Sequence, residues 1–145
     1  MLDTTTVASY HPPMSTFVAR AAVGVIAFIL LDGLWLGLLM KNFYREQLAP
    51  IARMANGGFA PNWPAAFVVY LLLGAGIAAF VTPRASTLLS AAGLGALFGV
   101  VVYGVYDFTN YSTLRQWPFA LVLVDVAWGA VASAACAVAI RTVAR

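Results

Sequence analysis

TFVARAAVGVIAFILLDGLWLGLLM, residues 16–40, decides the fold. The run is longer than the ~20 apolar residues an α-helix needs to cross the hydrocarbon core of a bilayer. Arg20 lies one turn in, where a long side chain can snorkel to the headgroups. Asp32 has no such exit. The run is too long for a signal-peptide core and has no small-residue cleavage site behind it. It therefore reads as a retained membrane helix, with Ser15 or Thr16 as its N-cap.

Three more runs follow the same pattern, at about 64–81, 86–107 and 118–140. Asn62-Trp63-Pro64 opens the second, with proline tolerated in the first turn, and Thr82-Pro83 stops it. Ser86 is placed to cap the third. A polar connection, Phe108–Trp117, leads to Pro118 and the fourth, and Arg141 and Arg145 close the chain. The longest loop, Lys41–Trp63, carries the breaker Asn56-Gly57-Gly58, and its first half, Lys41–Met54, reads as an amphipathic interfacial helix. Trp63, Trp117, Tyr44 and Tyr111 fall near the expected membrane–water boundaries, where aromatic belts form. Residues 1–15 form a polar tail, and residues 16–141 a single domain.

The composition agrees. Charged residues make up 9% of the chain against about 25% in soluble domains. Mean hydropathy is +0.90. Four spans and their links use nearly all of the 145 residues, so no separate soluble catalytic domain is expected. The fold class is an all-α membrane protein, an antiparallel bundle of four transmembrane helices with both termini on one side. The net charge of +3 is scattered, with no basic cluster suited to nucleic acid. Cys136 is the only cysteine and His11 the only histidine, so neither a disulfide within the chain nor a bis-histidine haem can form. No metal site and no cofactor are expected. The expected surroundings are the lipid bilayer, with Gly95-x-x-x-Gly99 and Gly129-x-x-x-Ser133-x-x-x-Ala137 serving bundle packing or the face of a homo-oligomer or larger membrane complex.

Basic residues do not decide the orientation. Arg20, Arg84, Arg141 and Arg145 fall on one side, and Lys41, Arg45, Arg53 and Arg115 on the other. Cytoplasmic termini are preferred because Arg20, Arg84 and Arg141 lie tight against helix ends.

Asp32 and Asp125 are the candidate functional residues. A carboxylate within a membrane helix costs ~2.5–3.5 kcal/mol on insertion scales, and such groups commonly mark a ligand, ion or proton site. Asp32 lies ~12 Å below the boundary at Met40, and Asp125 ~10 Å below that at Pro118, at 1.5 Å per residue. Both boundaries are on the same side of the bilayer. Asp107 ends the third run there, with Tyr103 one turn deeper. Each intramembrane acid also has a tryptophan three residues on, Trp35 and Trp128, on the same helical face. An indole N–H can donate to a carboxylate on the neighbouring helix, and Gly37 and Gly129 beside the indoles would admit close approach. Two carboxylates at similar depth disfavour double ionisation, so a shared proton is possible. The plainer alternative is protonated side chains hydrogen-bonding helices together. Around the last turn, Asp107, Thr109 and Asn110 can satisfy helix-end backbone groups, or the segment can form a lid with Arg115 pairing an acid or phosphate.

Leu31-Asp32-Gly33-Leu34-Trp35-Leu36-Gly37 with Phe43-Tyr44, then Tyr106-Asp107-x-Thr109-Asn110, Trp117-Pro118 and Asp125-x-x-Trp128-Gly129, resembles a family of small four-span bacterial membrane proteins classed as a domain of unknown function. The resemblance covers about Phe17 to Ile140. It implies the four-span architecture and the bacterial cytoplasmic (inner) membrane, and it carries no reaction.

The leading function expected is binding or relay of a proton, cation or small amphiphile at Asp32, Asp125 and Tyr103, flanked by Trp35, Trp128, Asp107, Asn110 and Arg115. One alternative is an accessory subunit docking through its small-residue faces. A lipid-modifying enzyme is the other, with an Asp as general acid–base and Arg45 or Arg115 on a headgroup phosphate. No nucleophile–base pair or metal-ligand set favours the enzyme.

Overall fold

Pro13 starts the first helix. The computed structural model describes residues 13–144; most of the polar tail, with His11, and Arg145 lie outside them. The Pro13 carbonyl accepts from Thr16 N at 2.9 Å, opening α1, Met14–Leu34, without a side-chain cap. The expected Ser15 or Thr16 cap is thus displaced by a residue whose ring already fixes a helix-compatible φ. α1 ends in a π-turn, Trp35–Leu39, where Met40 N reaches back five residues to Trp35 O at 2.7 Å.

Beyond Met40 the chain enters α2, Lys41–Leu48. Lys41, Asn42, Arg45 and Glu46 are exposed, whereas Tyr44 is buried and Phe43, Gln47 and Leu48 are half-buried. This amphipathic helix is shorter than the Lys41–Met54 expected. The breaker behind it forms a hairpin, β1 (Met54–Ala55) with β2 (Gly58–Phe59). Its two-residue turn needs positive φ at both positions, which Asn56 (51°) and Gly57 (74°) adopt.

α3, Trp63–Gly76, is capped by the Asn62 side chain, which accepts from Ala65 N at 3.2 Å. It runs on through a π-turn, Ile77–Val81, and a 3-10 turn, Thr82–Arg84. Thr87 and Ser90 form a reciprocal capping box at the start of α4, Leu88–Thr113, in place of the expected Ser86. α4 also passes Asp107, the expected end, by almost two turns. Ser112 and Thr113 donate to Thr109 O at 2.8 Å, so their hydroxyls are satisfied within the helix and do not interrupt it. α5, Phe119–Val143, follows Pro118.

Among the described residues, four helical segments are long and apolar enough to cross a membrane: Met14–Leu39, Trp63–Arg84, Leu88–Thr113 and Phe119–Val143. They form the expected antiparallel bundle. α4 and α5 make the most intimate pair, because small residues face each other along it. A Cβ at Gly95 would lie 2.6 Å from Ser133 O and 2.8 Å from Ala137 Cβ, and one at Gly99 would strike Gly129 O. The small-residue stripe is therefore taken up inside the chain. α1 crosses α3 with similar closeness, a Cβ on Gly24 falling 3.0 Å from Gly74 Cα. Phe28, Ile77, Cys136 and Ile140 fill the core between these pairs. Arg20 Nε donates to Ala144 O at 3.1 Å, tying the start of α1 to the end of α5. Arg141 donates to Ala85 O at 2.6 Å and to Ser86 O, closing the same end of the bundle.

Candidate intramembrane acidic site

Opposite that end, α1, α2, α4 and α5 enclose the two aspartates. Asp32 is 8% exposed on the last turns of α1. Trp128 of α5 donates its indole N–H to Asp32 Oδ1 at 2.8 Å. Tyr70 of α3 brings its phenol to the same carboxylate. On the other side, the Tyr44 hydroxyl donates to Asp125 Oδ1, and Trp35 Nε1 donates to the Tyr44 oxygen at 3.1 Å. The two indoles stack face to face, with centroids 4.3 Å apart and planes 1° apart. Each Asp-x-x-Trp unit thus lends its indole to the other side: Trp128 bonds directly to Asp32, and Trp35 reaches Asp125 through Tyr44.

The π-turn helps make this geometry. One added residue per turn re-phases whatever follows it by ~100° relative to the face of α1. The chain then leaves the bundle at Met40 and lays α2 across the site, bringing Tyr44 to Asp125. Burial raises the Tyr44 phenol above its ordinary value of 10.0, and the bond to Asp125 raises it further. Tyr44 therefore remains a hydrogen-bond donor at neutral pH.

Between these groups is a cleft of about 230 Å³, lined by both aspartates, Tyr44, Tyr103 and Trp128, with Leu36 and Leu48 supplying an apolar side. None of its lining residues is basic. Tyr103 reaches it by crossing α5 at Gly129, where a Cβ would collide with the tyrosine ring. Gly37 has no such role, since a Cβ there would meet open space.

The remaining candidates lie apart from the cleft. Asp107 is 0% exposed and accepts from Trp117 Nε1 at 3.3 Å, while Trp117 also meets Tyr106 edge to face. Among the described residues its Oδ2 is buried without a hydrogen-bond partner. Asn110 interacts with Tyr106. Arg115 is exposed in the turn between α4 and α5, and neither Asn110 nor Arg115 lines the cleft. The continuation of α4 to Thr113 carries this segment past the site, and α2 takes the covering position assigned to it from sequence. Tyr44, Tyr70, Leu36 and Leu48 were not among the sequence candidates. The apolar phase of α2, with Phe43, Tyr44, Gln47 and Leu48 on one side, is the signal that points to Tyr44 and Leu48. Among the described residues, no group of three or more His, Cys, Asp or Glu side chains is arranged to hold a metal ion.

Four membrane-length helices, three of which line the acidic cleft together with α2, define a small multi-pass integral membrane protein. Residues 17–141 match the family described as "Predicted membrane protein (DUF2177)", a family of unknown function, and the chain belongs to it. No curated protein and no solved structure matches the chain.

Proposed function

We propose that this protein binds a proton-bearing or cationic small ligand at the cleft between Asp32 and Asp125. One observation carries the reading: acids from α1 and α5, far apart in sequence, line a single cleft that no basic side chain enters. Burying one unpaired acid in a membrane helix is costly, and burying two around a space is costlier still. Carboxyls serving only to join helices would gain most from direct contact with each other. Here each takes its hydrogen bond from an aromatic donor instead, and space is left between them. Tyr44, Tyr70 and Trp128 hold the carboxyls in place for a ligand or a transferable proton.

The accessory-subunit alternative loses its main support, because the small-residue stripe it would dock through is engaged between α4 and α5. For the enzyme alternative, neither Arg45 nor Arg115 lines the cleft where a phosphate would have to be held. We further propose the bacterial cytoplasmic membrane as the location, with cytoplasmic termini. Arg20 and Arg141, bound to backbone carbonyls at the closed end of the bundle, are compatible with that orientation.

Native mass spectrometry of the protein, extracted mildly from its own membrane, tests the function. A small-molecule or lipid adduct present in the wild type and lost in an Asp32→Asn, Asp125→Asn double variant is expected. A folded double variant that keeps every adduct would overturn the proposal.

A further inference from the structure

The lining of the cleft favours one chemical class of ligand. A hard metal cation takes six or more oxygen ligands at close range. Two carboxyls and two phenols bring six oxygens to the cleft, but Asp32 Oδ1 and Asp125 Oδ1 already accept from Trp128 and Tyr44, and the Tyr44 oxygen accepts from Trp35. Fewer than six are left for a metal, and the rest of the wall is aromatic or aliphatic. A lone proton needs no such space. Organic ammonium groups, by contrast, pair with carboxylates and are attracted to the faces of tryptophan and tyrosine rings. Trp128, backed by its stacked partner Trp35, and the rings of Tyr44 and Tyr103 supply those faces. Size gives a further limit. At about 230 Å³ the cleft is smaller than the ~300–1,000 Å³ of sites for drug-sized ligands, so it admits a headgroup and not a whole lipid. Leu36 and Leu48 give an attached alkyl chain an apolar side to lie against.

Building on the proposed function, we infer that the ligand is an organic ammonium group, held between Asp32 and Asp125 and walled by Trp128, Tyr103 and Tyr44. A free amine and an amine-bearing lipid headgroup share this chemistry. The indole stack reports occupancy, because its fluorescence changes when charge enters beside it.

The test is a titration of the full chain in detergent micelles, followed by tryptophan fluorescence and calorimetry. The probes are choline, ethanolamine and the uncharged analogue of choline in which a tert-butyl group replaces trimethylammonium. At least one cation is expected to bind about tenfold or more tightly than the uncharged analogue, and Asp125→Asn to remove that preference. Tyr103→Leu, with its helical circular dichroism checked, is expected to weaken the cation and leave the analogue unchanged. Equal binding of charged and uncharged probes, or no binding of either cation, would overturn the inference. If the acid-dependent adduct in native mass spectrometry persists under that result, the acidic site stands and only its ligand class falls. Repeating the titration in vesicles separates the two sources. With phosphatidylglycerol held at one fraction so that surface charge is constant, a weaker apparent affinity when phosphatidylethanolamine makes up the remainder than when an uncharged glycolipid does indicates headgroup occupancy, and an unchanged affinity indicates a free amine; either supports the shared chemistry.

Discussion

Replacing Trp128 with Phe should uncover the bond between α5 and Asp32, and a double-mutant cycle with Asp32→Leu gives it a size. Trp128→Phe keeps a ring against Trp35 but removes the N–H that donates to Asp32 at 2.8 Å. Interhelical hydrogen bonds in membranes average ~0.6 kcal/mol and reach ~1.7. The aromatic contact, ~0.5–1.5 kcal/mol when intact, is only partly lost. The single variant should therefore lose about 1–3 kcal/mol. Asp32→Leu acts in two opposing ways. It removes an acid that costs ~2.5–3.5 kcal/mol to place in a membrane helix. It also orphans the indole N–H, at ~1–3 kcal/mol. These terms nearly cancel, so the variant should be as stable as the wild type or slightly more so, although it loses the site. In the double variant the indole N–H is gone as well, and the Tyr70 phenol, which lacks its partner in both Asp32→Leu proteins, drops out of the cycle, so the coupling should be near ~1 kcal/mol, within the range measured for neighbouring residues. Unfolding by SDS in mixed micelles, followed by circular dichroism, measures all four proteins. Strictly additive losses would refute the bond, and marked destabilisation by Asp32→Leu alone would refute the view that the acid is kept at a cost to stability.

Three other outcomes are expected. Gly99→Val should strongly destabilise the α4–α5 pair, by more than the ~1–3 kcal/mol of ordinary overpacking, because the added carbon meets Gly129 backbone; Gly37→Ala, in open space, should be nearly neutral in the same SDS titration. The Tyr44 phenol is raised, so its bond to Asp125 persists as pH passes 10.0 and is lost only through the higher folded value. A tyrosinate absorbance difference between wild type and Tyr44→Phe should accordingly be missing at pH 10.0, and half-ionisation there would count against the burial. Cys136, 0% exposed, should resist a membrane-permeant maleimide in the folded protein and react in SDS, whereas rapid labelling before unfolding would place it outside the core.

The spans were legible because bilayer thickness sets their length directly, and the runs from Thr16, Pro64, Ser86 and Pro118 meet that length. Their ends were less legible. Thr113 lies well beyond the expected stop at Asp107, because a helix tolerates polar residues whose hydroxyls bond to its own carbonyls, as Ser112 and Thr113 do. Depth arithmetic put Asp32 and Asp125 at one level, but it is blind to rotation about the helix axis. The close approach of Tyr103 to α5 depends on the small residues of the α4–α5 contact, and the return of Tyr44 to Asp125 on the π-turn at Trp35–Leu39, neither of which composition specifies. Tyr44 was read as part of the aromatic belt because it lies outside the spans. Only the return of α2 over the cleft turns that boundary residue into a partner of Asp125.

Asp32 and Asp125 share one cleft, so carbodiimide labelling read on intact chains should find them mutually exclusive. A hydrophobic carbodiimide attached to either Asp32 or Asp125 would fill a space of about 230 Å³ and shut out a second. The prediction is chains modified at Asp32 or at Asp125, located by tandem mass spectrometry, with doubly modified chains far below the product of the two single fractions. Double modification at that product, with the protein still folded, would show two independent sites and no shared cleft.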